Sequence, residues 1–317
     1  MIFVTGANGL VGSQICKELL NRNYEISALK RKNSDLSLLG DFANKIKWID
    51  GDVLDIISLE EGISKAEYVI HSAAIISFHS SLRQQMYKTN VEGTANVVNV
   101  CLTHPIKKLL HVSSVAALGR TKDLKEIDEK SIWEESPYNS HYATSKYQAE
   151  LEVWRGAEEG LPMVIVNPST ILGKGLAGRG SARLIDYVKK ESKFYSYGLL
   201  NYVDVRDVAE VSLELLFSPI TNERYIINTD NIRYKDFFEA VAKKFNVRAP
   251  HTKATPFLGE LALFGSNVRY WLTGKEPMVT REILRNASND FIYSNQKVST
   301  AIRHKFRSLE ESIEWIG

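Results

Sequence analysis

Cysteine and long apolar runs are scarce in this sequence of 317 residues. The two cysteines, Cys16 and Cys101, are too few for a disulfide framework and fit a reducing compartment, where we expect each to be a small buried hydrophobe. No apolar run approaches the roughly 20 residues of a membrane span. No signal peptide is visible, because Met1 leads straight into a strand-like stretch at residues 2–4. The sequence therefore predicts a cytoplasmic protein with no membrane partner.

An excess of charge of either sign is also missing. The 40 lysines and arginines against 38 aspartates and glutamates leave a formal net charge of +2, too small to indicate a nucleic-acid partner. The histidines and cysteines show no H-x-x-x-H or C-x-x-C spacing, so we predict no metal site. What is present, 44% hydrophobic and 25% charged residues, is typical of a globular protein.

Strand-like and helix-like stretches alternate through the first half of the chain. The predicted strands span residues 2–5, 24–29, 46–50, 68–72, 108–113 and 163–167, and the predicted helices span residues 10–22, 82–103 and 141–158. This alternation indicates right-handed βαβ units. We therefore predict an α/β fold with a Rossmann-type, doubly wound parallel sheet.

The alternation breaks after Pro168. Residues 172–181 form a glycine-rich basic loop, a strand and helix return at residues 202–217, and the end of the chain is helical. This pattern predicts two parts with discontinuous boundaries. The predicted dinucleotide-binding domain spans residues 1–168 and 199–230, and the predicted smaller, mostly helical substrate-binding lobe spans residues 169–198 and 231–317.

A glycine-rich loop, T-G-A-N-G-L-V-G at residues 5–12, joins the first strand to the first helix. Gly6 permits a tight turn, Gly9 lets the backbone approach a pyrophosphate, and Gly12 lets the helix sit close to the sheet. The phosphates would meet free N–H groups and the positive end of the helix dipole. We favour a dinucleotide site over a purely structural turn. The predicted cofactor contacts of this loop are Gly6, Asn8, Gly9, Leu10, Val11 and Gly12.

The residues after the second and third strands bear on the choice of cofactor. Where NAD enzymes usually place a carboxylate for the ribose 2′-OH, this sequence has Lys30, Arg31 and Lys32. The planar fork of Arg31 suits a 2′-phosphate, so we predict NADP(H), with NAD the alternative. Asp52 is a candidate for the adenine edge or for a local cap, and Val53 is expected to line the same side.

Tyr142 and Lys146 lie four residues apart in Y-A-T-S-K, which places them on one helix face. A lysine cation favours phenolate and is expected to lower the tyrosine pKa toward the working range. Ser114 ends the fifth predicted strand, and ligands of open parallel sheets bind beyond the carboxyl ends of the strands. We predict a catalytic group of Ser114, Tyr142 and Lys146, with Ser113 as the alternative serine.

The chain resembles the extended short-chain dehydrogenase/reductases, or NAD-dependent epimerase/dehydratase superfamily, over nearly its whole length. The resemblance rests on residues 6–12, Gly51-Asp52, His71-Ser72-Ala73-Ala74, Asn90-Val91-Glu92-Gly93-Thr94, Ser113-Ser114, Tyr142 to Lys146, Asn167-Pro168, and the run from Val203 to Ala209. Within that group it is most similar to the dihydroflavonol reductase-like branch, on the segment Ala28-Leu29-Lys30-Arg31.

The resemblance implies a role for each matching residue. Ser114 would be the catalytic serine, Tyr142 the acid/base, and Lys146 the assisting lysine that also holds the nicotinamide ribose. Asn90 would be the structural asparagine near the nicotinamide. Further implied cofactor contacts are Ala73, Ala74, Asn167 and Pro168. The resemblance also implies a homodimer through two helices beside the catalytic one.

The implied activity is NADP(H)-dependent reduction of a ketone or aldehyde, with a carbonyl or alcohol as the small-molecule substrate. The alternative is an NAD-dependent nucleotide-sugar epimerase or dehydratase with tightly bound cofactor. Such enzymes usually place an arginine where this chain has Leu200 or Asn201, which favours the reductase. The candidates for a replacement charge are Lys174, Arg179 and Arg183. A non-enzymatic redox sensor typically lacks the tyrosine–lysine pair and is disfavoured.

Overall fold

The computed structural model of this chain describes residues 1–78, 80–122, 126–176, 180–273 and 280–317. The strands are β1 (Ile2–Thr5), β2 (Ile26–Lys30), β3 (Lys47–Asp50), β4 (Tyr68–His71), β5 (Lys108–Val112), β6 (Glu126–Ile127), β7 (Met163–Pro168), β8 (Thr170–Leu172), β9 (Phe194–Tyr195), β10 (Leu199–Asp204), β11 (Glu223–Ile227), β12 (Asp230–Arg233), β13 (Thr252–Lys253) and β14 (Ile292–Tyr293). The α-helices are α1 (Leu10–Asn21), α2 (Ile56–Ile63), α3 (Arg83–Tyr87), α4 (Gly93–Leu102), α5 (His141–Glu158), α6 (Ala182–Lys189), α7 (Val205–Phe217), α8 (Tyr234–Phe245), α9 (Pro256–Thr273), α10 (Arg281–Ala287), α11 (Gln296–Ile302) and α12 (Leu309–Ile316). Short 3₁₀ helices span Gly40–Lys45, Ser80–Leu82 and Val115–Leu118, and a π-helical turn spans Lys88–Glu92.

Seven strands form one sheet in the order β3-β2-β1-β4-β5-β7-β11. Every neighbouring pair in this sheet is parallel. The strand order reverses between β1 and β4, which is the switch point where open parallel sheets bind their ligands. The prediction of a Rossmann-type, doubly wound sheet is therefore confirmed.

Helices cover both faces of the sheet, and this explains why its central strands are almost wholly apolar. On one face, α1, α7 and α11 pack against the sheet, and on the other face α2, α4 and α5 do so. The two cysteines are free and buried, one in each of these layers, as predicted. Burial raises the pKa of both thiols, so Cys16 and Cys101 act as small hydrophobes.

Two helical features differ from the predictions. The predicted helix at residues 82–103 is divided into α3 and α4 by the π-helical turn Lys88–Glu92, because the turn carries Asn90 inward to bind backbone groups. Helix α2 was not predicted. It begins after Asp55, whose side chain accepts a hydrogen bond from Ile57 N. Its first two apolar residues, Ile56 and Ile57, are exposed, so the apolar residues of this segment do not follow a helical period.

A second, three-stranded sheet lies outside the large one. Strand β10 pairs with β8 in parallel and with β12 antiparallel, and the helices α6, α8 and α12 pack around it. Between β10 and β12, the chain returns to the large sheet through α7 and β11. The predicted domain boundaries themselves stay a prediction. Among the helices of the described ranges, none has the length and hydropathy that crossing a membrane requires.

Asp207 of α7 anchors the C-terminal segment to the sheet layer. Its carboxylate is fully buried and binds His304 Nε2 at 3.0 Å and the backbone N–H of Arg307 at 2.9 Å. The Arg307 guanidinium also bonds to Asp207 and to Glu210. Asp207, Glu210 and His304 have the residue types of a metal site, but the arginine neutralises both carboxylates.

We expect Asp207→Ala to lower the free energy of unfolding by about 3 kcal/mol, because it removes the buried anion that binds the His304 imidazole and both the backbone N–H and the guanidinium of Arg307. Urea denaturation followed by circular dichroism measures the change. Glu214→Gln, an exposed substitution on the same helix, is the control and should change the free energy by less than about 0.5 kcal/mol. Equal stability of the two variants would contradict this account of the anchor.

Candidate active site

The glycine loop between β1 and α1 is built for close backbone approach. Gly6 has a φ of +71°, which favours glycine, and a Cβ there would lie 2.5 Å from Ala73 N. A Cβ at Gly12 would lie 2.2 Å from the carbonyl oxygen of Gly6. Helix α1 begins after Gly9, which is exposed and supplies no capping side chain. Free N–H groups therefore point out of the loop, an arrangement that fits a pyrophosphate.

The remaining predicted contacts of the loop lie at its rim. Asn8, Leu10 and Val11 are partly exposed beside Gly9. Ala73 and Ala74 follow β4, next to β1 in the sheet, and Ala73 N donates to Thr5 Oγ1 at 3.4 Å. Pro168 ends β7 and is buried. The structure thus brings these residues to the carboxyl ends of neighbouring strands.

The ends of β2 and β3 hold the predicted adenosine contacts. Lys30 forms an ion pair with Asp50, the last residue of β3. Arg31 is exposed, and its backbone N–H donates to Ser34 Oγ at 3.1 Å. Asp52 accepts a hydrogen bond from Leu54 N at 3.1 Å and so caps a local turn. Its neighbour Val53 is buried.

Ser114, Tyr142 and Lys146 come together where β5 ends. Ser114 begins the 3₁₀ helix Val115–Leu118, and its Oγ accepts a hydrogen bond from Ala116 N at 3.2 Å. The same hydroxyl is hydrogen-bonded to the phenol of Tyr142. One turn along α5, Lys146 Nζ donates to the carbonyl of Val112, the last residue of β5, at 2.9 Å. Of the two candidate serines, Ser114 is therefore the one in contact with Tyr142.

Burial sets the protonation states of this group. It raises the pKa of the Tyr142 phenol to about 12, and the hydrogen bond with Ser114 opposes that rise. It lowers the pKa of Lys146 to about 8, and the nearby Glu150 opposes that fall. The expectation of a lowered tyrosine pKa was wrong for the protein alone, because burial of the phenol raises its pKa. At neutral pH the arrangement holds a protonated phenol beside an ammonium.

Asn90 ties helix α5 to the loop that follows β4. Its Oδ1 accepts from Ile75 N at 2.8 Å, and its Nδ2 donates to Ile75 O and to Ser145 Oγ, both at 3.0 Å. Ser145 in turn donates to the backbone carbonyl of Tyr142 at 2.8 Å. The residue is 1% exposed. Asn90 thus holds the backbone on both sides of the site.

Asn167 and Glu150 form a buried layer beneath the reacting groups. Asn167 Nδ2 donates to Ser114 O at 3.0 Å and also to a carboxylate oxygen of Glu150. Glu150 is 1% exposed and was not predicted as a site residue. Its position one turn after Lys146, in the run Y-A-T-S-K-Y-Q-A-E, is the signal that could have identified it.

Apolar side chains flank the phenol on the open side. Phe78 packs edge to face against Tyr142 with ring centroids 6.2 Å apart, and the nearby Ile76 is 65% exposed. Tyr202 is buried in the core of the smaller sheet. The phenol of Tyr142 is thus in contact with an apolar ring.

The residues considered for a sugar-nucleotide diphosphate are engaged elsewhere. Leu200 is buried, and Asn201 Nδ2 donates to Asn231 Oδ1 and to Phe291 O, both at 2.7 Å. Lys174 Nζ lies over the Trp315 ring, 5.2 Å from its centroid. Arg183 also interacts with another group of the protein. Arg179 lies outside the described residues.

Residues 2–227 match the family described as the NAD dependent epimerase/dehydratase family. The chain belongs to this family. A provisionally named dihydroflavonol 4-reductase of Synechocystis sp. is 28% identical over 301 residues, which are 93% of this chain and 87% of the relative. Cinnamoyl-CoA reductase 1 of Petunia hybrida is 27% identical over 260 residues, 77% of each chain.

Solved structures share the fold of this chain. The crystal structure of gox2253 is 31% identical, has a TM-score of 0.81, and is matched over 99% of this chain and 97% of that one. UDP-glucose 4-epimerase of Thermotoga maritima has a TM-score of 0.77 at 19% identity, over 99% and 97% of the two chains, which shows a shared fold. The chain is thus an NAD(P)-dependent oxidoreductase of the short-chain dehydrogenase/reductase type.

We expect Gly12→Ala to weaken NADPH binding at least about tenfold, or by about 1.4 kcal/mol, because the new Cβ would push the glycine loop off the sheet. Fluorescence titration with NADPH measures the dissociation constant. Gly265→Ala is the control, since a Cβ there meets no atom within 4 Å. An unchanged affinity in Gly12→Ala would exclude this loop from the cofactor site.

Proposed function

We propose that the protein is an NADPH-dependent reductase of apolar ketones or aldehydes. The observation that carries the proposal is the group formed by Ser114, Tyr142 and Lys146 at the carboxyl edge of the sheet. Two hydroxyl donors converge there beside an ammonium. Such donors, aimed at an oxygen that gains negative charge, stabilise the transition state of carbonyl reduction.

The side chains divide the work of proton transfer. The substrate oxygen accepts hydrogen bonds from the hydroxyls of Ser114 and Tyr142. Bound NADPH supplies the hydride that reduces the carbonyl carbon. Tyr142 gives its phenol proton to the substrate oxygen, and the ammonium of Lys146 stabilises the phenolate that remains. Asn90 keeps Tyr142 in place through Ser145.

The choice of NADPH over NADH rests on the end of β2. Arg31 is exposed there, next to the Ser34 hydroxyl, while Lys30 already pairs with Asp50. A guanidinium and a hydroxyl fit the oxygens of a 2′-phosphate. No acidic residue stands at this position to bind a free 2′-OH.

The alternative, a nucleotide-sugar epimerase or dehydratase, has less support. The residues at the diphosphate position are buried Leu200 and Asn201, whose amide is used within the protein. The apolar contact of Phe78 with the phenol also favours an apolar carbonyl compound. The reductase names of two relatives also favour a reductase over an epimerase or dehydratase. A homodimer and a cytoplasmic location stay predictions from the sequence.

A substrate panel separates the two functions. The purified protein is first analysed for retained nucleotide and then assayed with NADPH or NADH against aromatic aldehydes, ketones and UDP-sugars. We expect a nucleotide-free protein that oxidises NADPH with an apolar carbonyl compound. Tightly retained NAD together with conversion of a UDP-sugar, without net consumption of added cofactor, would identify the epimerase or dehydratase instead.

We expect Tyr142→Phe to lower kcat about a thousandfold with whichever carbonyl compound the wild type reduces, because the proton donor is lost. NADPH affinity should stay unchanged. Tyr147→Phe is the matched control, since Tyr147 lies on the same helix but stacks on Trp133 with centroids 4.4 Å apart. Steady-state kinetics decide, and near-normal turnover by Tyr142→Phe would disprove the scheme.

We expect Arg31→Ser to raise the dissociation constant of NADPH roughly tenfold to a hundredfold, the effect of losing a charge-assisted hydrogen bond. NADH serves as the internal control because it lacks the 2′-phosphate, and its binding should not change. Fluorescence titration with both cofactors measures this. An equal loss for NADPH and NADH would mean that Arg31 does not read the phosphate.

A further inference from the structure

Glu150 is a buried carboxylate directly beneath the catalytic group. It follows Lys146 by one turn of α5, so that Tyr142, Lys146 and Glu150 form one column on the inner face of that helix. Only 1% of Glu150 is exposed. Burying a carboxylate is costly unless it has charged or hydrogen-bonding partners.

Those partners link Glu150 to the rest of the site. One carboxylate oxygen accepts from Asn167 Nδ2, which also donates to Ser114 O at 3.0 Å. Glu150 therefore supports, through Asn167, the backbone that presents the Ser114 hydroxyl to Tyr142.

Arg224 of β11 balances the charge of Glu150. Its Nη1 lies 3.5 Å from Glu150 Oε2. Its other nitrogens donate to Glu129 O and Ser131 O, each at 2.9 Å. Those carbonyls hold the guanidinium in place independently of Glu150. The buried layer thus combines the positively charged side chains of Lys146 and Arg224 with the carboxylate of Glu150.

The other titratable groups that face Lys146 contribute no compensating charge. His71 and His111, on β4 and β5, are buried, and desolvation lowers the pKa of His71 to about 3 and that of His111 well below its usual value. Tyr142 holds its proton at neutral pH. Burial raises the pKa of Glu150, whereas Arg224, Asn167 and Lys146 favour its charged form. In that form Glu150 is the anion that opposes desolvation of the Lys146 ammonium.

We propose that Glu150 is a positioning residue that keeps Lys146 cationic and fixes Ser114 through Asn167. This role rests on the proposed function, in which a charged Lys146 stabilises the Tyr142 phenolate. Removing the carboxylate charge would leave the buried Lys146 ammonium without the anion that favours its charged form. The ammonium would then lose its proton at a lower pH.

The pH dependence of kcat should report the protonation of Lys146. In the wild type, the Lys146 pKa of about 8 predicts that kcat for reduction is level below pH 8 and declines above it. Glu150→Gln should move this decline down by about one pH unit, because a negative charge close to the ammonium is removed. Glu150→Asp keeps the negative charge, so its decline in kcat should lie close to that of the wild type. Arg224→Gln removes the cation that favours the charged form of Glu150 and should therefore also move the decline downward.

The experiment measures kcat against pH for these variants, and follows the side-chain NMR signal of Lys146 against pH in the cofactor-free protein. Glu152→Gln is the control, because Glu152 pairs with Arg155 on the outer face of α5 at 2.9 Å, and it should behave as wild type. If Glu150→Gln does not fold, Arg224→Gln tests the same charge balance.

The NMR titration of Lys146 tests the role of Glu150, and the kinetic assay tests the proposed reductase function. A shift of the Lys146 signal in the expected directions without any carbonyl reduction would support the role of Glu150 in charging Lys146 and count against the proposed function. Carbonyl reduction with superimposable pH profiles and NMR titrations in wild type, Glu150→Gln and Arg224→Gln would overturn the inference while leaving the function intact.

Discussion

The burial of one ammonium, that of Lys146, is the constraint on which the site depends. Its Nζ has a 2.9 Å hydrogen bond to the last carbonyl of β5, and this contact fixes helix α5 against the end of the strand. Tyr142 then lies one turn away, beside the Ser114 hydroxyl. Because water cannot solvate the charge, the protein must supply an anion, and Glu150 is in position to do so.

The sheet explains why these groups meet the cofactor loop. All seven strands run in the same direction, so that the glycine loop after β1, the Ala73–Ala74 segment after β4, Ser114 after β5 and Pro168 at the end of β7 share one edge. Asn90 connects that edge to α5 through Ile75 and Ser145. The Tyr142 phenol and the glycine loop are thereby held at one edge of the same sheet.

Sequence patterns predicted the parts that depend on local spacing. The alternation of strands and helices gave the parallel sheet, and the glycines at 6, 9 and 12 and the spacing of Tyr142 and Lys146 identified the candidate site. The π-helical turn around Asn90 was not predictable, because its backbone follows from contacts with Ile75 rather than from periodicity. The pairing of Glu150 with Arg224, which are far apart in the chain, depends on the tertiary structure in the same way. The pKa of Tyr142 also depends on burial, which spacing does not reveal.

Isotope transfer tests the central claim, reduction of a carbonyl by NADPH at this site, most directly. The protein is incubated with an aromatic aldehyde and NADPH that carries deuterium at the nicotinamide C4, and the products are analysed by mass spectrometry. The account predicts an alcohol with one deuterium on the former carbonyl carbon and an equal amount of NADP⁺. An unchanged aldehyde, together with a UDP-sugar that the same preparation converts with no net consumption of NADPH, would contradict it.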